Sequence, residues 1–202
     1  MEDIKIVGIG GAVRSGKDTL AELFIKDGYF GVSFGDINRQ FSRERHKDKP
    51  DPISVANMTE TGNWLRETRG ADVILKEALR QFNEKRAAGG NFKGLVLWSI
   101  RAPAEVDWIL SKGGELIWVE ASEEVRYKRD VSNRREGESP ISFEEFKRQE
   151  ALQWKPQPGA SVAAQMDLSY VKSHATKTFI NNEDNLDAFL KKAKDVIDST
   201  GQ

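Results

Sequence analysis

Short apolar runs alternate with longer amphipathic stretches along the chain. The runs have the length of buried strands and are bounded by Gly, Asp or Asn, which favour turns. They lie at residues 5–9, 29–34, 94–100, 115–120 and 177–181. Because strands that alternate with helices form mainly parallel sheets, the pattern predicts an α/β fold with five strands and crossover helices.

Helical spacing of apolar residues is clearest near the C-terminus, where it predicts one helix with a single buried stripe. The stripe consists of Leu186, Phe189, Leu190, Ala193, Val196 and Ile197. Asp184 or Asn185 can cap this helix. Another helix is expected to begin near Ser142, because Glu145 three residues later completes a capping box.

The longest connection between predicted strands contains residues 41–88. It is polar and helical in pattern and long for a single crossover, so we expect an inserted helical pair. Residues 136–140 and 156–159 are the best loop candidates and bracket a segment that could move. The expected organisation is one domain over residues 1–202, with the insert at about 41–88 and a short lid at about 130–142.

Composition narrows the classes of function. The 31 Lys and Arg balance 32 Asp and Glu, so no overall field favours nucleic acid or an anionic membrane. The chain has no cysteine, which excludes disulfides, a thiolate zinc site and a thiol nucleophile. No apolar run approaches membrane-spanning length, so a soluble, cytoplasmic protein is expected. Any anion must be bound by local charge.

A glycine-rich turn follows the first predicted strand, in the sequence GGAVRSGKDTL at residues 10–20. Gly11, Gly16 and Lys17 satisfy the spacing G-x-x-x-x-G-K, which is typical of loops whose amides surround phosphates. Glycine lets the backbone come close to the ligand, the following helix adds its positive end, and the lysine supplies a mobile cation. The candidate phosphate-binding residues are Gly11, Ala12, Val13, Arg14, Ser15, Gly16, Lys17, Asp18 and Thr19. The alternative is a bare glycine turn.

Asp18 stands where such loops usually have Ser or Thr. That hydroxyl usually contacts magnesium, so a carboxylate here must reach the metal itself or act through a water. Asp18 is therefore a candidate metal ligand; Asp36 becomes the second candidate through the family resemblance given below. His46 and His174 are isolated in the sequence and are not interpreted as ligands.

Charged residues also follow the other predicted strands, at the edge where open α/β sheets bind ligands. Asp36 and Arg39 follow the second strand and are candidates for acceptor binding, with Arg43 or Arg45 as alternatives to Arg39. Asp36 could equally cap the next helix.

Arg101 follows the third strand, where its guanidinium could face the same crevice, or could bond a nearby carboxylate at a helix start. Ser122 can cap a helix that carries Arg126 and Arg129. Arg134 lies where this helix gives way to the predicted lid, which could close over a triphosphate. Surface ion pairs are the alternative for this basic cluster.

The loop GKDT resembles those of nucleotide and small-metabolite kinases, including bacteriophage deoxynucleotide kinases. Over most of its length the chain resembles the nucleoside-monophosphate-kinase branch of P-loop proteins, in particular dephospho-CoA-kinase-like members, which include an uncharacterised archaeal group. The matching stretches are residues 11–19, 34–41, 65–79, 100–106, 119–135, 142–150 and 180–189.

This resemblance implies a three-layer P-loop NTPase fold with a five-stranded parallel sheet, an acceptor-side helical insert, a short lid, and ATP with Mg²⁺. Lys17, Arg101, Arg129 and Arg134 would carry the catalytic charge. By the same resemblance, Thr19 would bind ATP phosphates, Asp36 and Arg39 would face the acceptor, and Asn182 would lie by the adenine.

One position departs from the family pattern. An acid that holds magnesium usually ends the third strand, whereas this chain has Trp98 and Ser99 there. Either Asp18 or Asp36 replaces that acid, or phosphoryl transfer has weakened or vanished. The expected function is transfer of the ATP γ-phosphoryl group to a nucleoside or deoxynucleoside monophosphate or to dephospho-CoA. The alternative is a nucleotide-binding protein with little or no kinase activity. Expected partners are small nucleotides, without nucleic acid or membrane, in a monomer or homodimer.

Overall fold

The computed structural model describes residues 4–133, 140–155, 166–183 and 185–200. Its strands form one sheet in which every neighbouring pair is parallel, in the order β2-β3-β1-β4-β5. The strands are β1 (Lys5–Gly11), β2 (Tyr29–Ser33), β3 (Gly94–Ile100), β4 (Glu115–Glu120) and β5 (Lys177–Ile180). The five predicted strands and the α/β fold are thereby confirmed.

Helices connect successive strands and cover both faces of the sheet. In the described residues they are α1 (Lys17–Lys26), α2 (Phe34–Arg45), α3 (Val55–Arg69), α4 (Val73–Ala87), α5 (Pro103–Ser111), α6 (Glu123–Ser132), α7 (Phe143–Trp154), α8 (Leu168–Ser173) and α9 (Leu186–Asp198). The predicted helical pair corresponds to α3 and α4, between β2 and β3.

Side-chain caps fix several helix starts. Ser122 Oγ accepts a hydrogen bond from Val125 N, and Ser142 Oγ accepts one from Glu145 N, so both predicted starts are confirmed. The prediction that the second strand reaches residue 34 was wrong. Ser33 Oγ caps α2 by accepting from the amide of Asp36, so the helix begins at Phe34, and Asp36 lies in its first turn instead of capping it.

Alternate residues of the central strands enter two separate cores. Ile6, Leu95 and Leu116 pack on one face of the sheet. Val7, Val96 and Ile117 pack on the other face, against α1 and α9. Burial on both faces is the reason that the strands have continuous apolar sequences instead of alternating ones.

The apolar stripe of α9 is only partly buried. Phe189 and Ala193 are buried, but Leu186 is 61% exposed and Leu190 is 37% exposed, so the prediction of one continuous buried stripe was wrong. Leu186 lies at the first position of α9, where it borders an open cleft instead of the sheet. Asn185 caps this helix by accepting from the amide of Asp187; Asp184, the other predicted cap, lies outside the described residues.

Among the described helices, none is both long and apolar enough to cross a bilayer.

The burial pattern predicts that two isoleucines on neighbouring strands differ sharply in their contribution to the free energy of unfolding. Ile117→Ala should lower the free energy of unfolding by about 2–5 kcal/mol, because Ile117 is fully buried and its loss leaves a cavity. Ile180→Ala is the matched control; its side chain is 55% exposed, so we expect a change within about 0.5 kcal/mol. Urea unfolding of both variants measures the difference, and equal losses would contradict this assignment of the core.

Candidate functional site

The glycine-rich loop joins the C-terminal end of β1 to the start of α1, as the spacing of its residues predicts. Gly11 and Gly16 have φ angles of +153° and +100°, which disfavour residues with a side chain. Space is also restricted. A Cβ atom on Gly11 would lie 2.6 Å from Ser15 Oγ, and one on Gly16 would lie 2.3 Å from Asn181 Nδ2. The loop shape therefore requires glycine at both positions.

Two arginines of α6 bind the backbone of this loop. Arg126 Nη1 donates to the carbonyl oxygen of Val13 at 3.3 Å, and Arg129 Nη1 donates to that of Arg14 at 3.5 Å. Arg126 is 4% exposed. These arginines thus attach α6 to the loop and hold two successive carbonyl groups on the side of α6.

A third donor comes from the residue after β5. Asn181 Nδ2 donates to the carbonyl oxygen of Ser15 at 2.7 Å in a buried contact. In a trans peptide the C=O and N–H groups point in opposite directions. The amide groups of residues 14 and 16 are consequently directed away from α6 and Asn181, in the arrangement that anion-binding loops use, whereas the amide of Ser15 donates to the carbonyl oxygen of Ala12 at 3.3 Å.

Lys17 is the first residue of α1 and is almost fully buried. Its Nζ donates to the carbonyl oxygen of Ala12 at 3.2 Å, so the ammonium group lies across the loop. Ser15 Oγ is buried and has no hydrogen-bond partner in the described part of the chain. Directed amides, one ammonium group and a helix N-terminus fit a polyphosphate.

Trp98 occupies the place where the family pattern has an acid, and its side chain contacts Asp18. Trp98 Nε1 donates to Asp18 Oδ1 at 3.0 Å. The β1–β3 register shifts at Ile9 and Gly10, and Ser99 has a φ of +64°, so β3 contains a bulge at this point. Sequence alone did not indicate that the indole and the carboxylate would meet.

The two candidate metal ligands lie in different surroundings. Asp18 borders the loop beside Lys17, where a carboxylate oxygen fits the preference of Mg²⁺. Asp36 is 65% exposed and pairs with Arg39, whose Nε donates to Asp36 Oδ1 at 3.1 Å. Within the described ranges, no three His, Cys, Asp or Glu side chains group as metal ligands. A magnesium ion at Asp18 would therefore need phosphate and water oxygens as well.

Four arginines line a cleft on one side of the loop, and we call it the arginine cleft. They are Arg14 of the loop itself, Arg39, Arg66 and Arg101, and the same cleft contains Lys17 and Asp18. Arg101 bonds Gln153 of α7 through its guanidinium. The structure thus brings together cations from α2, α3 and the end of β3.

Burial and the neighbouring charges both shift the pKa of Arg101. Burial is the main reason that its pKa is lowered to about 10. The carboxylates of Asp18 and Glu105 raise this pKa, whereas the guanidiniums of Arg66 and Arg39 lower it. Because the arginine cleft contains more cations than carboxylates, a bound anion would stabilise it.

Arg66 is a site residue that the sequence analysis missed. Its side chain is 2% exposed and Nη2 donates to Glu105 Oε1 at 2.7 Å. The remaining guanidinium nitrogens, Nε and Nη1, are buried without a hydrogen-bond partner among the described residues. The signal available in the sequence was the position of this arginine, directly after Leu65 and four residues after Gly62. In the structure these residues share the core-facing side of α3.

A second cleft lies on the other side of the loop, and we call it the α9 cleft. Its lining includes Gly16, Thr19, Arg129, Leu186 and Phe189. The glycine-rich loop thus lies between the two clefts, since its residues line both of them.

Arg129 is held firmly on this side, since its Nη2 donates to the carbonyl oxygens of Asn181 and Glu183. Asn182, which the family resemblance places by the adenine, is exposed, and its Oδ1 accepts from the amide of Ser122. Its neighbour Asn181 is the residue that lines the α9 cleft. Arg134 and residues 135–139 of the predicted lid lie outside the described residues.

The alternatives to Arg39 lie elsewhere. Arg43 is exposed, and Arg45 pairs with Glu60 at 3.2 Å and stacks over Trp64. Neither lines the arginine cleft.

The loop geometry predicts the outcome of one glycine substitution. Gly16→Ala should destabilise the protein by more than the roughly 1–2 kcal/mol that a left-handed backbone costs, because the new Cβ would meet Asn181. Gly89→Ala is the matched control: its φ is +91°, but no atom lies within 4 Å of the added Cβ. Urea unfolding compares the two variants, and an equal loss would contradict the close approach of Asn181.

Comparison with solved structures identifies the same fold in small-molecule kinases. A shikimate kinase from Bacteroides thetaiotaomicron aligns over 97% of this chain and 98% of its own, with a TM-score of 0.52 and 12% identity. A sugar kinase from Janibacter sp. aligns over 98% and 96%, with a TM-score of 0.51 and 16% identity. At these identities the likeness establishes the fold alone, an α/β P-loop kinase-like fold.

Sequence comparison finds relatives that are more similar to this chain in sequence than these solved structures are. No family model matches the chain. A UPF0200 protein of Methanococcus maripaludis strain S2 is 30% identical over 138 residues, which are 67% of this chain and 71% of the relative. A UPF0200 protein of strain C6 is 31% identical over the same shares. The chain therefore belongs to the UPF0200 family.

Proposed function

We propose that the protein is an ATP-dependent phosphotransferase that moves the γ-phosphoryl group to a small, anionic, nucleotide-like acceptor. The observation that carries this proposal is the position of the glycine-rich loop between two clefts, one of which is lined by four arginines. A loop that bound a nucleotide for a purely structural purpose would not need a second cationic cleft beside its lysine.

The α9 cleft is the proposed site of the donor nucleoside. Gly16 and Thr19 at the start of α1 would contact the phosphates nearest the ribose. Leu186 and Phe189 offer apolar surface for the base, which gives the exposure of Leu186 a functional reason. Arg129 keeps the loop carbonyls turned away from the phosphates.

The arginine cleft is the proposed acceptor site. Arg39, Arg66 and Arg101 would hold the acceptor's anionic group by forked hydrogen bonds, which guanidinium makes with phosphate or carboxylate. Nucleoside and deoxynucleoside monophosphates and dephospho-CoA all carry such a group. Lys17 lines the same cleft and would contact the phosphoryl group throughout its transfer. The described side chains would then act by positioning the two substrates and by stabilising the negative charge of the transition state.

Asp18 is the proposed protein contact of magnesium, and the hydrogen bond from Trp98 would hold its carboxylate in place. Magnesium would neutralise charge on the phosphates during transfer. Asp36 is a weaker candidate, because it is exposed and paired with Arg39.

The second candidate function is nucleotide binding without transfer. It is favoured by one observation, the indole of Trp98 at the place of the usual metal-binding acid. If Asp18 does not replace that acid, the loop would still bind a nucleotide, but the transition state would lack metal support.

A phosphoryl-transfer assay with ATP, Mg²⁺ and a panel of nucleoside monophosphates and dephospho-CoA tests the proposal. We expect turnover with at least one acceptor and a loss of roughly 10²–10³-fold in Lys17→Ala, because one preorganised charge is removed from the transition state. Lys26→Ala, at the exposed end of the same helix, should retain turnover. Tight ATP binding without turnover across the panel would support the second candidate function instead.

The proposed role of Asp18 predicts a metal-dependent defect. Asp18→Asn should weaken ATP affinity in the presence of Mg²⁺ by more than it weakens affinity in EDTA, because only the metal complex uses the carboxylate. Calorimetric titration under both conditions measures the two ratios. Equal ratios would contradict metal contact by Asp18.

A further inference from the structure

A further cavity adjoins the arginine cleft and has the opposite chemistry. Asp51, Asp130 and Glu150 line it, together with apolar side chains that include Ile141 and Phe146. We call it the carboxylate pocket. It shares Val13, Ile53 and Val55 with the arginine cleft, so the two spaces meet at an apolar junction.

The carboxylate pocket contains acceptor atoms that have no donor. Glu150 is 4% exposed, and its Oε1 accepts from Arg126 Nη1 at 2.8 Å and from Trp154 Nε1 at 3.2 Å. Its other oxygen, Oε2, is buried without a partner within the described ranges, and so is Asp51 Oδ1. A buried acceptor without a donor destabilises the folded protein, and more so when it is charged. Both oxygens therefore call for a hydrogen-bond donor.

The charges identify the kind of donor. Glu150 pairs with Arg126, and Asp130 pairs with Arg14 at 2.9 Å. Asp51 has no cation within ion-pair distance in the part of the chain that the structure describes. Asp51 is only partly buried, so solvent screens part of its charge, and the enclosed Oδ1, together with Glu150 Oε2, is the atom that selects the donor. An amino group supplies both N–H donors and positive charge.

We propose that the acceptor has an anionic group at one end and an amino group at the other, joined by an apolar segment. The anionic group binds in the arginine cleft and the amino group binds Asp51 and Glu150. The apolar segment lies over Val13, Ile53 and Val55. This inference rests on the proposed function, whose acceptor site it extends, and it selects amino-bearing phosphates or carboxylates over acceptors with only oxygen substituents.

Two series of simple probes test it without requiring turnover. One series is ω-aminoalkyl phosphates with two, four and six methylenes, and the other is the n-alkyl phosphates of the same lengths. Thermal shift and calorimetry would measure binding to the full-length protein. We expect at least one aminoalkyl phosphate to bind about tenfold or more tightly than its plain counterpart, as hydrogen bonds between charged groups imply.

Variants locate the effect. Asp51→Asn should abolish the preference for the amino group and leave the affinity for alkyl phosphates unchanged, which also shows that the variant is folded. Asp48→Asn is the matched control, since it removes the same charge from an exposed residue of the same segment. Glu150→Gln is a second variant and should also reduce the preference.

The outcomes separate the two proposals. Equal binding of both series by the wild-type protein, or equal effects of Asp51→Asn and Asp48→Asn, would overturn the amino site and leave the arginine cleft as an anion site. Failure of both series to bind at any length would overturn the amino site together with the arginine cleft as a site for simple phosphates, whereas the phosphoryl-transfer assay decides the proposed function separately.

Discussion

The site depends on hydrogen bonds that hold the carbonyl groups of the phosphate-binding loop on one side. Arg126, Arg129 and Asn181 supply these bonds, from α6 and from the end of β5. Because each peptide unit is planar, fixing the carbonyl also fixes the following amide. The direction of the amides of residues 14 and 16 is therefore determined by elements more than 100 residues away in the sequence. The glycines permit this loop conformation, and the distant donors select it.

The arginine cleft contains guanidinium groups whose burial lowers the stability of the protein. Arg66 is buried with only one of its guanidinium nitrogens bonded to Glu105, and burial lowers the pKa of Arg101. A buried charge that lacks some of its hydrogen-bond partners destabilises the folded protein unless a ligand supplies those partners. Such groups are typical of binding sites, which often lower the free energy of unfolding of the unliganded protein. A bound anion would raise that free energy of unfolding again.

Much of the fold could be predicted from the sequence, because its signals are local. Apolar runs bounded by turn residues gave all five strands, and the spacing of Gly11, Gly16 and Lys17 gave the loop at the end of β1. Arg66 could not be found in this way, because its partner Glu105 is 39 residues away and only the packing of α3 brings them together. Asn181 and Asn182 show a second limit: neighbouring residues at a strand end point to opposite sides, and the sequence alone does not decide which one faces the loop.

The sheet order has a consequence for how such a protein can diverge. β1 is hydrogen-bonded on both edges, to β3 and β4, so its amides should exchange with solvent only through the largest unfolding events. The phosphate-binding loop is attached to this most persistent part of the chain. By contrast, α3 packs on the neighbouring helices α2, α4 and α7. Mutations in that outer layer can change the shape of the arginine cleft while β1 and the glycine-rich loop stay intact, so the two parts of the candidate site can evolve separately.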